Sequence, residues 1–167
     1  MRTLAALAAA ALLLGGCGLR PLYSGGSNGA VAKSLAGVTI SPIPGRAGWF
    51  VRNALNDRLA RGSEGAPQYR LEVELDDQIT GFGVRSDNAV TRERRTLRAR
   101  YRLVDAAAGT VLVDATAGSD AGIDVVSSEY ATIAAEESAL ERLSGEIADQ
   151  IVVRLALYAS RTPPAAP

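Results

Sequence analysis

The sequence predicts an α+β domain: a four-stranded, mostly antiparallel sheet with two helices packed on one face, in the order β-α-β-β-β-α. Three observations carry that expectation. Tyr69, Leu71, Val73 and Leu75 alternate with Arg70, Glu72, Glu74 and Asp76, and Leu97, Ala99, Tyr101 and Leu103 alternate with arginines. Period two of this kind marks a half-buried strand. Apolar residues recur at helical spacing within Trp49–Arg61 and again from about Glu129 to Ala159.

The elements follow in order. Val38-Thr39-Ile40-Ser41-Pro42 is a short β-prone run, and prolines at 42 and 44 suit it to a sheet edge. The first helix carries Val51, Ala54, Leu55 and Leu59 on one stripe and stops at Gly62. A strand from Tyr69 then enters a turn signalled by Gly81-Phe82-Gly83 through Asn88. Its partner strand ends at the Asp105–Gly109 turn, and Thr110 to Ala117 completes the meander. The long helix places Ile133, Leu140, Leu143, Ile147, Ile151, Leu155 and Tyr158 on one stripe. Ser127 or Ser128 can cap its start, where Glu129 suits the positive end of the dipole.

Ahead of the domain lies a targeting segment. Met1-Arg2-Thr3 gives a positive start, Leu4–Leu14 form an apolar run of eleven residues, and Gly15 and Gly16 precede Cys17. That is the order of a secretory signal. The run is too short for a bilayer, which needs about 20 apolar residues. Leu14-Gly15-Gly16-Cys17 resembles a bacterial lipobox, which implies cleavage before Cys17 and lipid attachment at its thiol and new amino terminus. Stable anchoring needs at least two acyl signals, and a triacylated cysteine supplies them. Gly18 replaces the aspartate that retains such proteins at the inner membrane, so the resemblance implies the outer membrane, periplasmic side. The expected organisation is a signal peptide at 1–16, a lipidated N-terminus and flexible tether at 17–36, one domain at 37–160 and a disordered tail at 161–167. With Cys17 the only cysteine, no disulfide remains to stabilise the fold.

Little here suggests catalysis. Histidine is absent, which removes the commonest general base and metal ligand. No cysteine pair offers a zinc site, and Gly81-Phe82-Gly83 lacks the remainder of a phosphate loop. Asp76 and Asp77 point to opposite faces of a strand, and Glu136-Glu137 reads as a solvated helix face. The expectation is no enzyme, no metal, and no cofactor beyond the covalent lipid on Cys17. The chain balances 18 basic against 18 acidic residues, which gives no net-charge case for nucleic acid.

The charges are nevertheless unevenly spread. Seven of the 18 basic residues fall between Arg85 and Arg102. Strand parity sends Arg92, Arg94, Arg98, Arg100 and Arg102 to the outer face. One reading is a salt-bridge ladder: a turn centred near residue 86 sets Glu72 opposite Arg100 and Glu74 opposite Arg98. The other reading gives Arg92, Arg94 and Arg95, which have no acidic partner in the sequence except Glu93, to a phosphate or carboxylate from outside. Guanidinium's fixed fork suits such groups. Both readings stay open.

The run Cys17-Gly18-Leu19-Arg20-Pro21-Leu22-Tyr23 behind a lipobox resembles the start of the LptE family of lipopolysaccharide-assembly lipoproteins, with leucine where phenylalanine is common at position 19. The order of elements is also similar to that family. The resemblance implies a non-enzymatic outer-membrane lipoprotein that plugs and helps assemble the LptD β-barrel and assists lipopolysaccharide delivery to the outer leaflet. The alternative is an auxiliary lipoprotein of an ABC-type envelope lipid transporter.

Overall fold

The computed structural model describes residue 35 and residues 37–59, 67–84 and 90–161. Cys17, the tether before Leu35, Gly62 and the 85–89 hairpin loop lie outside the described residues. The elements are β1 (Val38–Ile40), α1 (Gly45–Leu59), β2 (Tyr69–Val84), β3 (Val90–Asp105), β4 (Val111–Asp124) and α2 (Glu129–Arg161). The sheet order is β1-β2-β3-β4. β1 pairs parallel to β2, and the remaining pairs are antiparallel. The expected class and order of elements are those observed.

β1 covers only Tyr69–Leu71 of β2. Ser41 N–H still donates to the Leu71 carbonyl at 2.9 Å, after which Pro42 and Pro44 remove the donors a longer ladder needs. α1 and α2 run in the same direction over the sheet, because Arg46 meets Glu137 and Arg58 meets Asp149. The core lies between these layers. Val51 and Leu55 of α1, Leu71 and Leu97 of the sheet, and Leu143, Ile147, Ile151 and Leu155 of α2 are all fully enclosed. Burial of each such side chain contributes roughly 1.5–3 kcal/mol.

Local chemistry accounts for the element ends. The Ser128 hydroxyl accepts from Ala131 N–H at 3.4 Å, which fixes Ser128 as the N-cap of α2. At the β3–β4 turn, Asp105 Oδ1 accepts from the N–H groups of Ala107 and Ala108 at 2.9 and 2.8 Å. Gly109 there has φ +69°, a conformation that favours glycine.

Several expectations are corrected. Gly81-Phe82-Gly83 is strand, not turn: Gly81 pairs with Glu93 and Phe82 with Arg92. Gly83 is needed within that strand, since its φ is +75° and a Cβ would meet Thr91 Oγ1 at 2.8 Å. β4 does not stop at Ala117 but runs on to Asp124. The Arg98 side chain lies across Gly118, so that an added Cβ would stand 2.5 Å from Arg98 Cδ and the arginine would have to shift. Gln150 of α2 closes the open edge there, accepting from Gly118 N–H at 3.2 Å and donating to its carbonyl at 3.1 Å. Ile133, expected in the apolar stripe, is 53% exposed. α1 begins level with Glu137 and leaves the first two turns of α2 without that neighbour. Arg61, expected in α1, lies outside the described residues; Trp49, expected to open the helix, is one turn inside it. Arg161, expected in the tail, closes α2.

Gly48 offers a test of the packing. In a helix interior, glycine to alanine normally gains about 1 kcal/mol. Here the added Cβ would fall 2.4 Å from the Ile43 carbonyl oxygen, a backbone atom. Gly48→Ala is therefore expected to destabilise the fold by about 1–3 kcal/mol in urea denaturation; an unchanged or increased midpoint would contradict the close approach of Ile43 to α1.

Candidate anion-binding face

β3 is the second inner strand of the sheet, so its outward arginines meet acids on both sides. Arg102 reaches Glu72 at 3.4 Å and Glu74 at 3.3 Å on β2. Arg100 donates to both carboxylate oxygens of Asp114 on β4, at 3.2 and 2.9 Å. This pairing pulls the Asp114 carboxyl below the usual carboxylate range. Arg98 approaches Asp120 at 3.9 Å, and Arg92 meets Asp124 at 3.1 Å. These exposed pairs are screened by water and salt and contribute little to stability.

The ladder therefore exists, but its register differs from the expected one by two residues. Glu72 lies opposite Arg102 and Glu74 opposite Arg100. Arg98 and Arg100 take their carboxylates from β4, whose acids Asp114, Asp120 and Asp124 the sequence reading left out of the ladder.

The three candidate site residues are brought to different places. Arg92 and Arg94 share the outer face, whereas Arg95 points inward beneath α2. The expectation that all three lack acidic partners is corrected for two of them. Arg92 has Asp124. Arg95 grips both oxygens of Asp77, at 2.8 and 2.6 Å, and donates a third hydrogen bond to the Glu136 carbonyl at 2.9 Å. Strand parity alone would have placed Arg95 inside, since it lies an even number of residues from Leu97. The Arg95 and Asp77 side chains are only 12% and 23% exposed. Loss of either partner leaves a charge in a poorly hydrated place, a cost of roughly 2–3 kcal/mol. Arg95 is thus a clamp between β2, β3 and α2.

Arg94 is left. Among the described residues it has no carboxylate partner, and its guanidinium lies over the Phe82 ring, 5.6 Å from the centroid. Phe82 itself is 39% exposed. The result is a cation beside an accessible aromatic ring on the distal half of the hairpin, surrounded by arginines whose charge is already balanced.

Beside the Arg95 clamp, Glu93 also points inward, towards Glu136 of α2. Its Oε2 is buried without a hydrogen-bond partner. Glu137 is on the solvated face the sequence suggested, in an exposed pair with Arg46 of α1, while the backbone carbonyl of Glu136 holds Arg95. Among the described residues no group of three or more side chains could hold a metal ion, and no helix is long and apolar enough to cross a membrane.

Comparison with known proteins agrees with this architecture. The family model described as LptE, lipopolysaccharide-assembly, matches residues 35–155. No curated protein sequence matches closely enough to count. Among solved structures, a protein described as a lipoprotein from Caulobacter crescentus CB15 superposes with a TM-score of 0.68 at 28% identity, covering 82% of this chain and 100% of that one. A minor lipoprotein from Acinetobacter baumannii gives 0.60 at 14% identity, over 78% of this chain and 96% of that one. The rare lipoprotein B from Shewanella oneidensis gives 0.57 at 11% identity, over 74% and 96%. The last two likenesses are of fold alone.

Burial, and then the nearby Glu136 carboxylate, push the Glu93 carboxyl above the ordinary glutamate range. A raised carboxyl pKa means that the folded state binds more protons than the unfolded chain between the two pKa values. Stability from this group is therefore present at low pH and lost as pH rises through the folded pKa. Glu93→Gln is expected to match its parent near about pH 4 and to become the more stable of the two towards about pH 7. Urea midpoints across that range check this, and a variant less stable than its parent at neutral pH would contradict the assignment.

Proposed function

Because the chain belongs to the LptE lipopolysaccharide-assembly family, we propose that it is an outer-membrane lipoprotein that plugs and helps assemble the LptD barrel and assists delivery of lipopolysaccharide to the outer leaflet. The family is one of assembly lipoproteins, not of enzymes. The observation that carries the proposal is the family match at residues 35–155, which takes in all six elements except the last turns of α2.

The architecture supports the finer reading. Barrel interiors are polar and water-filled, and a plug must bury its apolar residues within itself while facing the lumen with charge. The outer sheet face meets that demand with its arginine–carboxylate ladder. The lipid on Cys17 keeps the domain at the periplasmic side of the outer membrane. Within the candidate set of Arg92, Arg94 and Arg95, Arg94 is the guanidinium open to a lipid A phosphate, with Arg92 beside it on the same face.

Depletion of the protein is expected to lower both correctly assembled LptD and surface lipopolysaccharide, as read by immunoblot and surface labelling. Normal barrel assembly with disturbed phospholipid traffic would instead favour a lipid-transporter lipoprotein. For the site, Arg94→Gln in a soluble Cys17→Ser background is expected to weaken lipopolysaccharide binding by about tenfold, since a charge-assisted contact is worth roughly 1.5–3 kcal/mol. Its thermal stability should stay within about 0.5 kcal/mol of the parent. Equal affinity for the two would remove Arg94 from the site.

A further inference from the structure

The end of the sheet opposite the hairpin tip carries a second basic site. Val38, Tyr69 and Asp105 lie side by side at this end, and β4 starts there at Val111. The last turns of α2 come down to the same end. Between β4 and α2 lies a cleft of about 260 Å³ lined by Leu112, Asp114, Arg154, Leu157, Tyr158 and Arg161. Arg154 and Arg161 are two helical turns apart and so share a face of α2. Neither has a carboxylate within ion-pair reach among the described residues, and neither is used by the ladder or the Arg95 clamp. Asp114, the acid of the cleft wall, is already engaged by Arg100 through two hydrogen bonds. What remains, among the described residues, is a pair of guanidiniums without a carboxylate partner beside Leu112, Leu157 and Tyr158.

We propose that this cleft binds the phosphodiester headgroup of an anionic glycerophospholipid, with Arg154 and Arg161 on the phosphate and Leu112, Leu157 and Tyr158 against the first carbons of the chains. Two uncompensated cations ask for an anion, and the apolar wall favours an amphiphile over free phosphate. The chain's own connectivity points to a membrane. Leu35 and Gly37 lead into β1 at this same end of the sheet. Cys17 precedes Leu35 by 18 residues, and a segment of that length spans at most about 65 Å even fully extended. A lipid on Cys17 therefore tethers the domain by the end of the sheet that carries the cleft, not by the hairpin end.

This inference rests on the anchoring of Cys17, and one experiment reads the two separately. The full mature protein is extracted in mild detergent, mixed with phosphatidylglycerol, phosphatidylcholine or inorganic phosphate, and examined by native mass spectrometry. The protein mass reports the covalent lipid; the adduct reports the bound headgroup. Phosphatidylglycerol is expected to remain on the parent and to fall by roughly tenfold in Arg154→Gln/Arg161→Gln, as two cations facing an anionic lipid imply. It should return in part in Arg154→Lys/Arg161→Lys and be unchanged in Arg52→Gln/Arg142→Gln, which loses the same charge elsewhere. Circular dichroism melts confirm that each variant is folded, and the charge-keeping lysine pair retains the test should the glutamine pair unfold. Equal phosphatidylglycerol on the glutamine variant and its parent would overturn the proposal. So would equal retention of phosphatidylcholine, or displacement of the lipid by inorganic phosphate.

Discussion

The antiparallel register of β2 on β3, which sets Glu72 opposite Arg102 and Asp76 opposite Arg98, decides where every charge of the sheet comes to lie. A slip of β3 by one residue would turn Leu97 and Tyr101 to solvent and drive its outward arginines under the helices. A slip by two would keep the faces but break the diagonal by which Arg95 reaches Asp77, and would lift Arg95 away from the Glu136 carbonyl of α2. The apolar face forbids the first error. The clamp, with its poorly hydrated charges, opposes the second. β4 then takes its place by matching Asp114, Asp120 and Asp124 to the outward arginines that β2 leaves over.

Once the register is set, helix placement follows from small residues and paired ends. Ala117 and Ala121 on the inner face of β4 are buried and let α2 lie close. Gln150 reaches from α2 to occupy both backbone groups of Gly118, so the same helix covers the core and shields the open edge. On the other side, Arg58 ties α1 to α2 through Asp149, whose carboxyl it holds below the usual range, and through the Gly145 carbonyl. The outcome is a domain with its apolar side closed and its polar side neutralised almost pair by pair. Among the described residues, cations without a carboxylate partner lie at both ends: Arg94 with Phe82 towards the hairpin tip, and Arg154 and Arg161 at the end where β1 begins.

Much of this was legible in the sequence, because alternation is a local signal. The inward set of β2 and β3, the stripe of α2 from Leu140 to Leu155, the Ser128 cap and the Asp105 turn all follow from spacing within a few residues. The misreadings were non-local. Gly81 and Gly83 look like turn residues until their partners on β3 are known, and nothing local signals that β4 continues past Ala117 through Gly118 and Gly122. The arginine ladder was assigned to the wrong neighbours because only the preceding strand was considered, although β3 is flanked on both sides. Arg95 was grouped with Arg92 and Arg94 by sequence proximity against its own parity. The expectation of a lipid on Cys17 comes from the leader alone, and that region lies outside the described residues.

The register itself is open to direct measurement. Backbone nuclear Overhauser contacts between β2 and β3 in the isotope-labelled soluble Cys17→Ser protein would report it without reference to function. The account predicts cross-strand contacts between Glu74 and Arg100, Asp76 and Arg98, and Ile79 and Arg95. Contacts between Glu72 and Arg100 and between Glu74 and Arg98 would mean a hairpin displaced by two residues. They would contradict the placement of the Arg95 clamp, the neutralised outer face and the uncompensated charge at Arg94 together.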